Sequence, residues 1–219
     1  MRVGGLIGRL FLVGLVAMVC LGVGATAASA AATEKATLSH GTNGQANSSG
    51  EAKKVKEGGG GEGALLTSNN YGYGLINVRI PAGTTLSDLT ALNTGYEVTE
   101  GTCGGGAPRF QVVVLAPGAK RRDAQEFDVY FGTQPYGGCS SNQGITTEDA
   151  TQDDWWLAPG NSYGSYSEAQ STYGSDRVLD VQVAVDGGWD QSPETQQVLI
   201  QDLTVGINGT NTTFFPLPS

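Results

Sequence analysis

The chain has 219 residues, of which 34 are glycine, and its 12 Lys and Arg face 21 Asp and Glu for a net charge of −9 at pH 7. An acidic chain repels phosphate backbones and anionic bilayers, which argues against nucleic acid and anionic membranes as partners. A single histidine, His40, lies outside the segment with folded character, so the sequence offers neither a Ser-His-Asp triad nor a His-ligated zinc site.

Arg2 and Arg9 flank the start of an apolar run of 15 residues, LFLVGLVAMVCLGVG (10–24), and ATAASA (25–30) supplies small residues at the −3 and −1 positions, Ala28 and Ala30. This is the pattern of a secretory signal peptide over 1–30. It is too short for a comfortable membrane span, and no later segment could be one. Cys20 follows Val19 rather than the small residue that a lipid-attachment site requires. Two of the cations and none of the acids precede residue 31, which leaves ten cations against 21 acids, a net −11. Residues 31–62 hold Leu38 and Val55 as their only large aliphatics and carry GGGG near their end (58–61). Such a segment cannot offset the entropy of ordering, and it reads as a disordered linker in which His40, Lys53, Lys54 and Lys56 are solvated.

From 63 to 206 the pattern is that of strands. GALLTS (63–68) opens it, GLINVRIP (74–81) alternates Ile76, Val78 and Ile80 with polar residues, and RFQVVVL (109–115) is nearly continuous in β-formers. EFDVYFG (126–132) sets Phe127, Val129 and Phe131 against Asp128 and Tyr130. RVLDVQVAVDGG (177–188) sets Leu179, Val181, Val183 and Val185 inward and Asp180, Gln182 and Ala184 outward, and QQVLIQDLTV (196–205) closes the set. Period two with Gly, Pro, Asn and Asp between the runs predicts an all-β chain folded as an antiparallel β-sandwich. Two short helices are predicted: TTLSDLTAL (84–92), from leucines at three-residue spacing after a Thr85 cap, and SYSEAQSTYG (165–174), between Ser165 and Gly174. The tail 207–219 either docks on the core through Phe214 and Phe215 or hangs free.

Two cysteines remain after residue 30, Cys103 and Cys139. An even count in an oxidising compartment favours one disulfide. In TCGGGAPRFQVVV (102–114) the glycines are followed by a strand rather than by the Lys and helix of a phosphate cradle. They are expected to let the chain turn beside another backbone, with Arg109 paired to a carboxylate.

The stretch from about 75 to 205 resembles an uncharacterised family of secreted bacterial proteins, in which a PAGTTF-DL-TLST-Y block runs into CGGGSPRF and a second cysteine follows in a Y-GC context. Here those are PAGTTLSDLTALNTGY, Cys103 with Gly104 to Arg109, and Tyr136 to Cys139. The family implies secretion and names no activity. A looser similarity, to jelly-roll carbohydrate-binding modules, lies in QQVLIQDLTV; it implies a jelly-roll-like sandwich, and because the matching Asp of such modules helps hold a structural calcium, it implies Asp202 as a ligand here. Calcium takes six or more oxygens, and one carboxylate supplies few of them.

The remaining signal is aromatic. Trp155 and Trp156 are adjacent, so a strand would send one to the core and the other outward. Trp189, in DGGWDQSPE, is the best exposed platform, with Asp190 beside it and Tyr136 and Tyr163 as further candidates. Sugars present apolar C–H faces and hydroxyl rims, which suit an aromatic surface flanked by polar groups. The expectation is a secreted, non-catalytic carbohydrate-binding or cell-wall-associated module, contacting a polysaccharide or cell-wall glycan through Trp189, Trp156, Tyr136, Asp190 and Tyr163. The alternatives are an extracellular structural or protein-interaction domain and a carboxylate-dependent glycosidase. The acids available to the latter, Glu126, Asp128, Asp180, Asp186, Asp190 and Glu194, show no apolar setting in the sequence that would raise a pKa.

Overall fold

The computed structural model describes residues 35–56, 61–132, 138–139, 141–157 and 162–215. The expected signal peptide (1–30) and Tyr136 lie outside them. In chain order the strands are β1 (Ala36–Thr42), β2 (Ser49–Lys56), β3 (Glu62–Asn69), β4 (Gly72–Val78), β5 (Leu89–Glu100), β6 (Arg109–Leu115), β7 (Gln125–Tyr130), β8 (Thr146–Asp149), β9 (Asp154–Leu157) and β10 (Ser162–Ser165). Then come a helix, α1 (Tyr166–Tyr173), and β11 (Arg177–Val185), β12 (Thr195–Ile207) and β13 (Thr210–Phe214).

They form an antiparallel β-sandwich. One sheet has the order β1-β4-β11-β6-β7-β9-β10; the other has β2-β3-β12-β5-β8, with β13 also paired to β12. The predicted alternation fills the space between the sheets: Ile76, Val78, Phe110, Val112, Phe127, Val129, Val181 and Val183 from the first sheet and Leu66, Val98, Val198 and Ile200 from the second are buried in one core. Each such side chain removed from water contributes roughly 1.5–3 kcal/mol.

The adjacent tryptophans divide as their strand requires. Trp155 is fully buried and its indole N–H donates to the Ala150 carbonyl at 2.6 Å, with Phe127 and Tyr166 around it; Trp156 is only half-buried. Trp155→Ala is expected to cost about 3–5 kcal/mol in urea unfolding, since it leaves a large cavity and an unpaired carbonyl.

The sandwich is longer than the sequence suggests. The described part of the 31–62 segment is not a disordered linker. It forms β1 and β2, which pair along their lengths with β4 and β3. Backbone ladders and partial burial of Ala36, Leu38 and Ala52 hold these edges, and Lys53 and Lys56 expose charge on one of them, a common guard against further strand pairing. Close backbone approach explains a glycine here: a Cβ on Gly72 would stand 2.0 Å from the Ser49 carbonyl oxygen.

The described part of the tail also docks, as β13. Asn208 and Gly209 both have positive φ, 51° and 77°, and make the tight turn that returns it to β12; Phe215 is buried.

Two further expectations are corrected. Within 84–92 only Leu86–Asp88 is helical, as a 3-10 turn, and Leu89 begins β5. The ladders with β12 and β8 on either side of β5 decide this in favour of strand. Leu179 sits at a bulge between β11 and β6, so Val178 takes the inward place. Ala184 keeps the outward parity of Gln182, opposite Arg109 and Leu75, and is fully buried there.

The second predicted helix is α1, where the Ser165 hydroxyl accepts from the Glu168 amide and the Glu168 carboxylate accepts from the Ser165 amide. The bonds accepted from the Ser165 amide and hydroxyl hold the exposed Glu168 carboxyl below the usual range. The helix is tied to the β5 start by the Tyr166 hydroxyl, which donates to the Leu89 carbonyl.

Candidate functional site

The sheets converge on the Gly187–Asp190 3-10 turn between β11 and β12. Its Trp189 is 45% exposed, and Tyr71, at the tip of the β3–β4 hairpin, is 40% exposed. The two rings are parallel within 3°, with centroids 6.2 Å apart. Polar bonds tie the turn to the hairpin: the Gly188 amide donates to Ser68 Oγ at 3.0 Å, and the Ser68 hydroxyl donates to the Gly72 carbonyl at 2.6 Å. The Asn70 amide also reaches the Glu194 carbonyl at 2.8 Å.

The CGGG corner holds the other side of the same turn. Cys103 is disulfide-bonded to Cys139, and its amide donates to the Cys139 carbonyl at 3.2 Å. The Gly105 amide donates to Asp190 Oδ2 at 2.9 Å, and the Thr102 amide donates to Gln191 Oε1 at 2.9 Å. Gly105 and Gly106 have positive φ, 61° and 76°, and a Cβ on Gly105 would lie 2.9 Å from the Gly187 Cα. The glycines thus let the turn bend and lie against a second backbone.

On the outer face of the first sheet, one register row crosses all seven strands: Thr37, Asn77, Gln182, Gln111, Asp128, Trp156 and Tyr163. The Trp156 and Tyr163 rings are 4.9 Å apart, and Tyr163 meets Tyr130 at 6.5 Å. Beside this row Arg109 forks onto Asp186 at 2.6 and 2.9 Å and donates to Asp128 at 3.1 Å, the carboxylate pairing expected of it. Burial works against the guanidinium charge, but the Asp186 hydrogen bonds and the two carboxylate charges outweigh it and hold its pKa above the usual value. Contrary to the sequence reading, Glu126, Asp128 and Asp180 are all raised, with burial the largest cause in each; Arg109 opposes the rise at Glu126 and Asp128, and the Gln182 amide opposes it at Asp180.

A third feature has no counterpart in the sequence reading. Beside Cys139 lies an open cavity of about 410 Å³, lined among the described residues by Tyr96, Gln143, Thr147, Glu148, Asp149 and Asp153. Glu148 is 5% exposed, and its carboxyl accepts from the Gly132 amide at 3.1 Å. Burial first, and then a hydrogen bond to Asp153, push its pKa up to about 9. Tyr96 is pushed up to about 12, by burial and then by the charges of Glu148 and Asp153.

The sequence-predicted residues therefore fall in two places. Trp189 and Asp190 share the 3-10 turn, and Trp156 and Tyr163 share the sheet face. Asp202 stands apart, at positive φ (47°) in a bulge of β12 against β5. Among the described residues no three His, Cys, Asp or Glu side chains are grouped to hold a metal ion. Tyr71 was missed, although the turn residues NNYG between GALLTS and GLINV mark the hairpin that carries it. No family model matches this chain, and no curated protein matches it as a relative. The functional reading therefore rests on the geometry.

Proposed function

We propose that this chain is a secreted, non-catalytic carbohydrate-binding or cell-wall-associated module, with the parallel Tyr71 and Trp189 rings as its principal contact for a polysaccharide. The observation that carries the reading is this pair: two large aromatic side chains, both about two-fifths exposed, one on the β3–β4 hairpin and one on the 3-10 turn bonded to it. A held aromatic surface loses little conformational entropy when a ligand covers it and matches the C–H faces of sugar rings. Trp156 and Tyr163 supply a second aromatic contact on the sheet face. Secretion is supported by the signal-like pattern at 1–30 and is compatible with the Cys103–Cys139 disulfide. No described helix is long and apolar enough to cross a membrane.

The glycosidase alternative has less support. Asp128 and Asp186 are both engaged by Arg109, and Asp190 accepts from the Gly105 amide. A pull-down on a panel of insoluble polysaccharides and cell-wall preparations tests the proposal. Tyr71→Ala with Trp189→Ala is expected to weaken retention on the best polysaccharide about 30-fold, the size of a central aromatic contact. Unchanged retention in that double variant would remove the site. Absence of retention across the panel would favour the protein-interaction alternative.

A further inference from the structure

We infer that Gln196 is the positioning residue of the Tyr71–Trp189 surface, coupling it to the disulfide-closed corner; its consequence for binding rests on the function proposed above. Gln196 lies on β12, seven residues after Trp189, and is fully buried. Buried glutamine is costly unless its amide is satisfied on both sides, and this one is. Its Nε2 donates to the Thr102 carbonyl at 2.6 Å and to the Ala107 carbonyl at 2.8 Å, which spans the CGGG turn. Its Oε1 accepts from the Gly187 amide at 3.1 Å, at the first residue of the turn that carries Trp189.

The side chain is thus the internal bolt between two pieces of backbone that have no ladder of their own. A Cβ on Gly187 would stand 2.3 Å from the Gly104 carbonyl oxygen, so the two pieces touch directly only where glycine allows it. Gln191 repeats the link from the outer side. Its Oε1 accepts from the Thr102 amide and hydroxyl at 2.9 and 3.0 Å, and its Nε2 donates to the Gly187 carbonyl at 3.3 Å. Without this bolt the turn would keep its bonds to Ser68 and Gly105 but lose the buried link at Gly187, its first residue, and the Trp189 ring would shift. With it, the ring is held out and parallel to Tyr71.

The test separates positioning from stability. The protein is labelled with 5-fluorotryptophan, and the three ¹⁹F signals are assigned with Trp189→Phe and Trp156→Phe. Gln196→Met, of similar length and without an amide, is expected to shift or broaden the Trp189 signal and leave the buried Trp155 signal in place. It is also expected to weaken polysaccharide retention about tenfold, as loss of a buried group's partners does. Val205→Ala, a core truncation at the far end of β12, lowers the unfolding midpoint but is expected to leave the Trp189 signal and retention unchanged. Should Gln196→Met not fold, Gln191→Met is expected to move the same signal to a smaller extent.

An unmoved Trp189 signal in the glutamine variants, or an equal movement in Val205→Ala, would overturn the inference. The fluorine readout stands whether or not the wild-type protein is retained on any polysaccharide, so failure of the binding proposal is distinguishable from failure of the positioning.

Discussion

Replacing Cys103 and Cys139 together by serine is expected to lower the free energy of unfolding by about 4 kcal/mol, the chain-entropy value for a closed loop of this length. The disulfide joins residues 36 apart in sequence. It links the start of the CGGG turn to the chain that precedes β8, and residues 133–137 between them lie outside those described. The unfolding midpoint in a thermal scan should fall by roughly 10 °C for a chain of this size. The loss should be matched by the wild-type protein in a dithiol reductant, because both treatments restore the same freedom to the unfolded chain. Equal midpoints for the serine variant and the oxidised wild type would contradict the role assigned to the bond.

Glu148 sets the second large effect. Its pKa is raised in the fold from the ordinary glutamate value of 4.5 to about 9, so between those limits the folded protein binds a proton that the unfolded chain releases. Stability tied to this group is complete below the unfolded value and falls as pH rises toward about 9. Asp128, Asp180, Glu126 and Asp176, all raised with burial the largest cause, act in the same direction. The wild-type protein should therefore need less urea to unfold at pH 8.5 than at pH 5.5. Glu148→Gln preserves an acceptor for the Gly132 amide and a donor for Asp153, as the protonated acid does. It should change little at pH 4, below the unfolded value, and raise stability at pH 8.5 by more than about 1 kcal/mol, given that each tenfold difference in proton affinity between the folded and unfolded states is worth about 1.4 kcal/mol. A variant with the wild-type pH dependence would show that Glu148 is not the group that titrates.

Much of the first sheet and the core was legible because its strands obey a simple rule. Phe127, Val129 and Phe131 alternate with polar residues and are all fully buried. The pairing of Cys103 with Cys139 and of Arg109 with a carboxylate followed from residue counts and chemistry. What escaped was structure stabilised by partners distant in sequence. The β1 and β2 segments have too few apolar residues to fold alone and become strands by adding to β4 and β3. β5 carries leucines at helical spacing, yet it is hydrogen-bonded on both sides.

The site was half legible for the same reason. Trp189 in a Gly-rich turn is visible in the sequence, and so is the outward member of the Trp155–Trp156 pair. Tyr71 joins Trp189 from 118 residues away, and Gln196 reads as an ordinary strand residue until its three backbone partners are seen. Glu148 gives no signal in the polar run TTEDATQDD; its burial comes from the strands around it.

Ligand placement on Trp189 is tested by a tryptophan fluorescence titration of the mature protein with soluble fragments of the polysaccharide that retains it best, alongside Trp189→Phe. A saturable blue shift is expected in the wild type, as the sugar displaces water from the Trp189 ring, and loss of most of that shift in Trp189→Phe. A titration that saturates with no change in emission, or with the same change in both proteins, would contradict the placement of the ligand on Tyr71 and Trp189.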